Sequence, residues 1–496
     1  MPGPVYLVTG ATGLLGGRVV RRLLRADPAA RVVALAREPA RWAARASALG
    51  LPAHAAAPLA GDLTRPGLGL DAAARARLAR EVTGVLHLAA DTTFSRPLDE
   101  ARAVNGEGTR RLLELAGELP AAGRVAFVST AFVAGRLTGR VPEAAHDGAA
   151  GWVNAYEQSK WEAEGLVRAW GDDARREWVI LRSSTVVCDD AGGGVTQLNA
   201  VHRALRLYHG GLAAMMPGTP ESALDVVPAD YVADAVAALA FRHDLAGQTL
   251  HLCAGDRAYP LDALLDETYE LWARCPAWRR KGIARPALTD AATYARFEGA
   301  VEETGDARLR GVTRSLSHFI PQLALPKRFD TTRADRALGR AAPAPREYWG
   351  RMIGRLIETG WRGGGAPSGG GWPAAGGPPH REGSATAAGT DTENPRRAPG
   401  APHPDLHRDF VERMLEWLNA RFAPPGVTIT SDTPLFRSRL IDSIRILELI
   451  AWTERATGRE VPDAEIRMDN FHTVARIADA FARDDDDAEA AHGDAR

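Results

Sequence analysis

The stretch from Val5 to Leu24, VYLVTGATGLLGGRVVRRLL, leaves few folds open to this chain. An apolar run from Val5 to Thr9 meets three glycines, Gly10, Gly13 and Gly16, and an amphipathic stretch follows. A strand, a turn and a helix in this order match G-x-x-G-x-x-G. The first glycine permits the tight turn, the second lets the backbone approach a pyrophosphate, and the third lets the helix pack on the strand. The helix N-terminus adds amide donors and partial positive charge for phosphate. Gly10, Thr12, Gly13, Leu14 and Gly16 are therefore expected to bind a dinucleotide. A glycine turn with no ligand is the plainer reading, and the flanking strand and helix count against it.

The rhythm that follows supports this choice. PVYLVTG, RVVALAR, GVLHLAA, RVAFVST and EWVILRSS read as strands separated by amphipathic stretches. Such alternation predicts βαβ units and a Rossmann-type, doubly wound parallel sheet over residues 1–255. Residues 256–361 lose the alternation and read as a helical substrate-side extension of the same domain. At 496 residues the chain exceeds one core. From 362 to 404 it collapses into Gly, Pro, Ala and Ser, which cannot pack a core and predicts a disordered linker. Behaving as a flexible coil, that linker would hold its ends roughly 35–40 Å apart.

Helical patterning resumes at 405. Phe410, Met414, Trp417 and Leu418 share one helix face, as do Val474, Ile477, Ala478 and Phe481. A small four-helix bundle is expected over 405–483, with an acidic tail over 484–496. Lys+Arg of 61 against Asp+Glu of 62 gives a net charge of −1, so there is no basic field for nucleic acid. Cys188, Cys253 and Cys275 share no ligand spacing and read as thiols in a reducing compartment. No apolar run reaches membrane-spanning length, and the first strand begins almost at Met1. A cytoplasmic protein with no membrane contact is the expectation.

About twenty residues past the glycines, a site for NAD usually places Asp or Glu on the ribose hydroxyls. Here Ala36 is followed by Arg37. Arginine has no acceptor for a 2′-hydroxyl and bonds a 2′-phosphate well, so NADPH is favoured over NADH. Arg41 and Arg45 could assist, though each reads first as a helix surface residue.

The run VNAYEQSKWEAE sets Tyr156 and Lys160 four apart, on one helix face. FVSTAFVAG ends a strand upstream with Ser129 and Thr130. A phenol with a reference pKa of about 10 is a poor acid–base group unless a cation favours its phenolate. Lys160 can supply that charge, and Thr130 can hold the substrate oxygen. A lone Y-x-x-x-K is weak; following a nucleotide turn and a Ser/Thr strand end, it points to catalysis.

These features together resemble an extended short-chain dehydrogenase/reductase of the thioester reductase type, akin to carboxylic acid reductase termini and fatty acyl reductases. TGATGLLG, GDLTRPGLGL, VLHLAADTTF, VSTAFVAG, YEQSK and DVVPADYVADA carry the resemblance over residues 1–361. It implies that Asp62 and Leu63 flank the adenine, that Ala89 and Ala90 line the cofactor channel, and that Asn105 belongs to the nicotinamide side. Thr130 is the better match to the family's catalytic serine or threonine, with Ser129 as the fallback. Gly106 after Asn105, and LRSSTVV without an Arg-Pro pair, depart from the family pattern on the nicotinamide side. His87 reads as a packed strand histidine.

Asp442-Ser443 opens an apolar helix, and taken alone Ser443 is an N-cap. With TPLFRSRL before it and TGREVPDAEI and NFHTVARIADAF after it, the region resembles an acyl or peptidyl carrier protein. The resemblance implies 4′-phosphopantetheine on Ser443, and the two roles are compatible. The chain then reads as an NADPH-dependent reductase of a carrier-bound acyl or aminoacyl thioester, with aldehyde or alcohol as product. A phosphopantetheinyl transferase and a separate adenylating or acyltransferring enzyme would be its partners. The competing reading keeps the cofactor but acts on a carbonyl or alcohol group of a carrier-bound chain, as a ketoreductase, dehydrogenase or epimerase, without cleaving the thioester.

Overall fold

A computed structural model of the protein describes residues 3–172, 176–212, 215–303, 320–361, 404–422, 428–435, 445–457, 461 and 470–482. The short apolar runs form the centre of it. β1 (Val5–Thr9), β2 (Arg31–Ala36), β3 (Ala56–Ala60), β4 (Gly84–His87) and β5 (Arg124–Thr130) are strands. After the short β6 (Gly139–Val141), β7 (Glu177–Ser183) and the strand Gln248–Leu252 complete the set. Among the described residues they build a seven-stranded sheet running Gln248–Leu252, β7, β5, β4, β1, β2, β3, with every pairing parallel. The order reverses at β1 and β4, which is where a doubly wound sheet opens its ligand crevice.

Helices cover both faces. They are α1 (Gly16–Ala26), α2 (Pro39–Ala48), α3 (Ala72–Glu81), α4 (Leu98–Asn105), α5 (Glu107–Gly117), α6 (Ala155–Trp170), α7 (Ala200–His209) and α8 (Ala229–Leu239). One core joins Val19, Val20 and Leu23 of α1 to Val232, Val236 and Leu239 of α8 over Val8, Leu86 and Leu181. The opposite core packs Leu112, Leu113 and Ala116 of α5 and Ala163 and Val167 of α6 over Leu7, Val85, Phe127 and Ile180. Cys188, Cys253 and Cys275 are free thiols.

Two of the seven strands lie outside the five expected from hydrophobic runs. β3 is AAPLA, and its Pro58 is compatible with a strand because β3 is a sheet edge. The other is QTLHL, at the opposite edge. The described residues of the 256–361 part, 256–303 and 320–361, are largely helical and include a short strand, Lys327–Phe329, paired in parallel with β6.

The chain divides into two compact units, Met1–Gly299 with Leu316–Pro373, and Ala300–Ser315 with Ala374–Arg496. In the second, the described helices Pro404–Phe422, Arg445–Thr457 and Val474–Phe481 share a core. It contains Phe410, Met414, Leu418, Leu449, Ile450, Phe471, Ile477 and Phe481. Asp442 and Ser443, the acidic tail 484–496 and all of the expected linker except Pro404 lie outside the described residues. No described helix is long and apolar enough to cross a membrane.

α6 is fixed to the sheet by charge as well as by packing. Tyr156, Lys160 and Glu164 recur every four residues on its buried face. The Glu164 carboxylate takes both arms of the Arg182 guanidinium from β7, at 2.8 and 2.7 Å, and a third bond from Arg168 at 2.8 Å. Arg182 also reaches His251 Nε2 at 3.2 Å. Burial works to raise the Glu164 pKa, but Arg182 and Arg168 bring it down to about 2 from 4.5. Glu164→Ala should cost roughly 3–5 kcal/mol, because Arg182 would stay buried without its counter-charge. Since the folded-state pKa is the depressed one, this stabilisation is full above pH 4.5 and disappears toward about pH 2. Denaturant melts of wild type and variant across that range check this; a stability gap that stays constant down to pH 2 would contradict it.

Candidate active site

The turn between β1 and α1 shows three glycines under three different constraints. Gly10 has φ +72°, and a Cβ there would lie 2.6 Å from the Ala89 nitrogen. A Cβ on Gly16 would lie 2.1 Å from the Gly10 carbonyl. Gly13 is exposed, and its Cβ would meet only the Gly10 carbonyl, at 3.2 Å. Gly10 and Gly16 are thus required by the protein's own packing, whereas the space beside Gly13 is open to an approaching ligand. No side chain caps the N-terminus of α1 and no acidic residue stands in its first turn, so its amides are free of competing anions. Thr12 and Leu14 are half-buried on the same turn.

Arginines surround this turn. Arg18 donates to the Leu14 carbonyl at 3.0 Å, and Arg45 of α2 donates to the Gly13 carbonyl at 3.2 Å. Burial, with the nearby charges of Arg18 and Arg41, draws the Arg45 pKa down, and its buried Nε has no hydrogen-bond partner. Arg18 is paired with Asp189 at 2.6 Å, so it is Arg45, with its unused donor near an uncapped helix start, that fits a phosphate-bearing cofactor. Sequence reading gave Arg45 only a minor role; the signal was its place on the helix that follows Arg37. Arg37 is exposed just past β2. Its charge acts on Asp62, whose carboxylate also takes the Thr64 amide and hydroxyl at 2.9 and 2.8 Å. Leu63 is buried beside Gly108 of α5, and its carbonyl accepts from Arg111. Arg37, Asp62 and Leu63 therefore stand at the C-terminal ends of β2 and β3.

The β4 end carries the next group. The Thr9 hydroxyl accepts from the Ala89 amide at 3.2 Å and meets His87 Nδ1 at 2.7 Å, while His87 Nε2 meets the Thr109 hydroxyl at 2.9 Å. Burial, with a smaller effect of Lys160, lowers the His87 pKa to about 3, so His87 is a neutral, hydrogen-bonded packing residue. Ala89 and Ala90 lie just beyond it, both half-buried, with the Ala89 backbone against Gly10. Asn105 is buried and grips both backbone polar groups of Asp91, at 2.8 and 2.9 Å, and the Ser159 hydroxyl at 3.0 Å. It ties the loop after β4 to α6.

Tyr156 is the second residue of α6, and Thr130 ends β5. The Thr130 side chain lies close enough to the Tyr156 phenol to act on its pKa. Alternation along β5 puts Ser129 on the other side, toward Glu164, so Thr130 is the hydroxyl that faces the phenol. Burial raises the Tyr156 pKa to about 12, with Thr130 pulling the other way. At neutral pH the phenol is a donor. Lys160 is directed elsewhere: its ammonium donates to the Val128 carbonyl at 3.0 Å and sits 3.9 Å over the Phe127 ring. Burial lowers its pKa to about 7. The expected help of Lys160 to a phenolate is therefore not seen in this arrangement. Phe94 closes over Tyr156 with ring centres 5.5 Å apart.

The open side of Gly13 supports a direct prediction. Gly13→Ala should fold within about 0.5 kcal/mol of wild type, as an exposed site allows, yet weaken dinucleotide binding about tenfold by occupying the phosphate approach. Gly16→Ala should instead lower the melting temperature. Thermal melts and a cofactor fluorescence titration separate the two, and unchanged affinity in Gly13→Ala would place the phosphates elsewhere.

Over 208 residues the chain is 31% identical to a hybrid PKS-NRPS synthetase of Penicillium citrinum, which spans 41% of this chain but 5% of that protein. The terminal R domain of the myxalamid PKS-NRPS pathway shares the fold, with a TM-score of 0.58 at 24% identity, covering 73% of this chain and 92% of that one. The reductase (R) domain of a nonribosomal peptide synthetase from Mycobacterium tuberculosis matches with a TM-score of 0.53 at 25% identity, covering 73% and 94%. Residues 8–236 match the NAD-binding family described as Male sterility protein.

Proposed function

We propose that the protein is an NADPH-dependent reductase that releases a carrier-bound acyl or aminoacyl thioester as an aldehyde. The observation that carries this reading is the buried, neutral Tyr156 phenol at the start of α6, within reach of Thr130 at the end of β5. Similarity to a domain described as the reductase of a nonribosomal peptide synthetase supports the substrate class. When bound, the reduced nicotinamide supplies the hydride. Tyr156 and Thr130 donate hydrogen bonds to the thioester oxygen as it gains negative charge, the kind of preorganised donation that dominates many such reactions. Tyr156 then holds the proton that the oxygen needs to form a thiohemiacetal. Breaking its C–S bond expels the thiol and leaves the aldehyde. Lys160 holds the end of β5 through Val128. Arg37, with Arg45 behind it, gives the site a preference for the 2′-phosphate.

Ser443 is assigned as the phosphopantetheine attachment point on the sequence around it, supported by the helical core of the second unit. A carrier in the same chain would present its thioester at high effective concentration, provided that the linker spans the distance. The acyl group would be loaded by a separate adenylating or acyltransferring enzyme after a phosphopantetheinyl transferase has acted.

Tyr156→Phe should lower turnover of a model acyl thioester at least ~100-fold, followed as NADPH consumption together with thiol release. NADPH consumption without thiol release would favour carbonyl reduction instead. Arg37→Ala should raise the Kd for NADPH about tenfold, or ~1.4 kcal/mol, with little effect on NADH; equal effects on both cofactors would remove the assigned preference. Ser443→Ala should abolish phosphopantetheinylation, read by intact mass, while turnover of the free model thioester persists.

A further inference from the structure

Tyr156 stands in the first turn of its helix, the part of a helix with the fewest internal hydrogen bonds. That turn is held by Glu157. The Glu157 amide donates to the Asn154 cap at 3.0 Å, and its carboxylate accepts from the Val153 amide at 2.9 Å and Asn154 Nδ2 at 3.0 Å. One carboxylate oxygen takes a further bond, from Gln322 Nε2 at 2.6 Å, across 165 residues of chain. Gln322 Oε1 accepts from the Lys327 ammonium at 2.8 Å, and the same ammonium donates to the Gly135 carbonyl at 2.5 Å.

Gly135 closes the 3-10 turn Ala131–Ala134 that Thr130 opens and caps. Its φ of +54° and a potential Cβ 2.1 Å from the Gly151 carbonyl reserve this corner for glycine. Lys327 is itself placed by pairing of its strand with β6, and the Gly139 amide donates to the Pro326 carbonyl at 2.9 Å. The line of bonds from Glu157 through Gln322 and Lys327 to Gly135 thus joins the helix that bears Tyr156 to the turn that begins at Thr130. Glu157 and Gln322 are buried. Burial holds the Glu157 carboxyl up at about 7 and draws the Lys327 ammonium down to about 8, where each group's charge favours the other's charged form.

We propose that Gln322 and Lys327 form a brace that sets the spacing between the Tyr156 and Thr130 hydroxyls, and so act as positioning residues for the reduction. This rests on the catalytic reading of Tyr156 given above. Neither residue is assigned to touch substrate or cofactor; each acts through the groups it holds.

The test is steady-state turnover of a model acyl thioester by the full chain, with NADPH affinity and melting temperature measured on the same preparations. Lys327→Ala and Gln322→Ala should each lower kcat about 10- to 100-fold, as expected of small misplacements of reacting groups. Their Kd for NADPH should stay within about twofold of wild type. Because the two residues act in series, the double variant should be no slower than the slower single one. Lys327→Arg keeps donors toward Gln322 and Gly135 and should recover most of the lost kcat, even if the alanine variants prove too unstable to assay. A kcat within about twofold of wild type in Lys327→Ala overturns the brace, as does additive loss in the double variant or a Lys327→Arg enzyme at least 10-fold slower than wild type. Tyr156→Phe is measured alongside. Lost turnover there with normal turnover in Lys327→Ala overturns the brace alone, whereas normal turnover in Tyr156→Phe overturns the catalytic reading and the brace with it.

Discussion

A carboxylate and a guanidinium, both removed from water, tie the helix of Tyr156 to the sheet. Glu164 and Arg182 could not be buried singly, since an isolated charge in a protein interior costs several kcal/mol even after relaxation. The two-armed geometry, with Arg168 and His251 completing it, offsets that cost and gives α6 a defined height on β7. Tyr156 and Lys160 lie on the same helix face as Glu164, so their positions over the end of β5 follow from that height. The pair of hydroxyls at Tyr156 and Thr130, the Lys160 bond to Val128 and the buried Ser129 are arranged around it.

The nucleotide side obeys a different constraint, that of backbone approach. Gly10 and Gly16 bring β1, α1 and the segment at Ala89 within distances that no side chain permits. Arg18 and Arg45 then bond the Leu14 and Gly13 carbonyls of the turn, and no side chain caps the start of α1. Position 68 shows what such approach can require. Leu68 holds φ +60° between two left-handed glycines, and its side chain is fully buried. A left-handed leucine costs roughly 1–2 kcal/mol, which burial of an apolar side chain of that size can offset. The Leu68 carbonyl in turn accepts the Asp62 amide, so this strained turn helps to place the acidic residue near Arg37.

Much of this was legible in the sequence, for reasons that differ by residue. β1, β2, β4, β5 and β7 are apolar runs because both of their faces are covered, and a continuous run is hard to misread. AAPLA lacks that signal, being an edge strand of small residues. QTLHL was obscured by His251, a polar residue that is buried because its ring bonds Arg182 and the Asp330 carbonyl. The Tyr156 and Lys160 spacing identified a helix face and a candidate pair. It could not say that Lys160 turns to Val128, because that depends on where β5 lies under the helix. Gln322 and Lys327 were invisible for a stronger reason: they belong to a region without periodicity, and their partners are 165 and 192 residues away. Ser443, by contrast, rests on its sequence context alone.

That last separation bears on how the chain comes to life. Gly135 and Lys327 are neighbours only in space, and contacts of such separation are the slow ones to form. A ribosome must deliver Lys327 before the turn at Thr130 and the helix at Tyr156 can be joined, whereas the glycine turn and its flanking strands are complete within the first hundred residues or so. The nascent protein therefore has the glycine turn and its flanking strands well before it can assemble the bonded link between the helix of Tyr156 and the turn at Thr130.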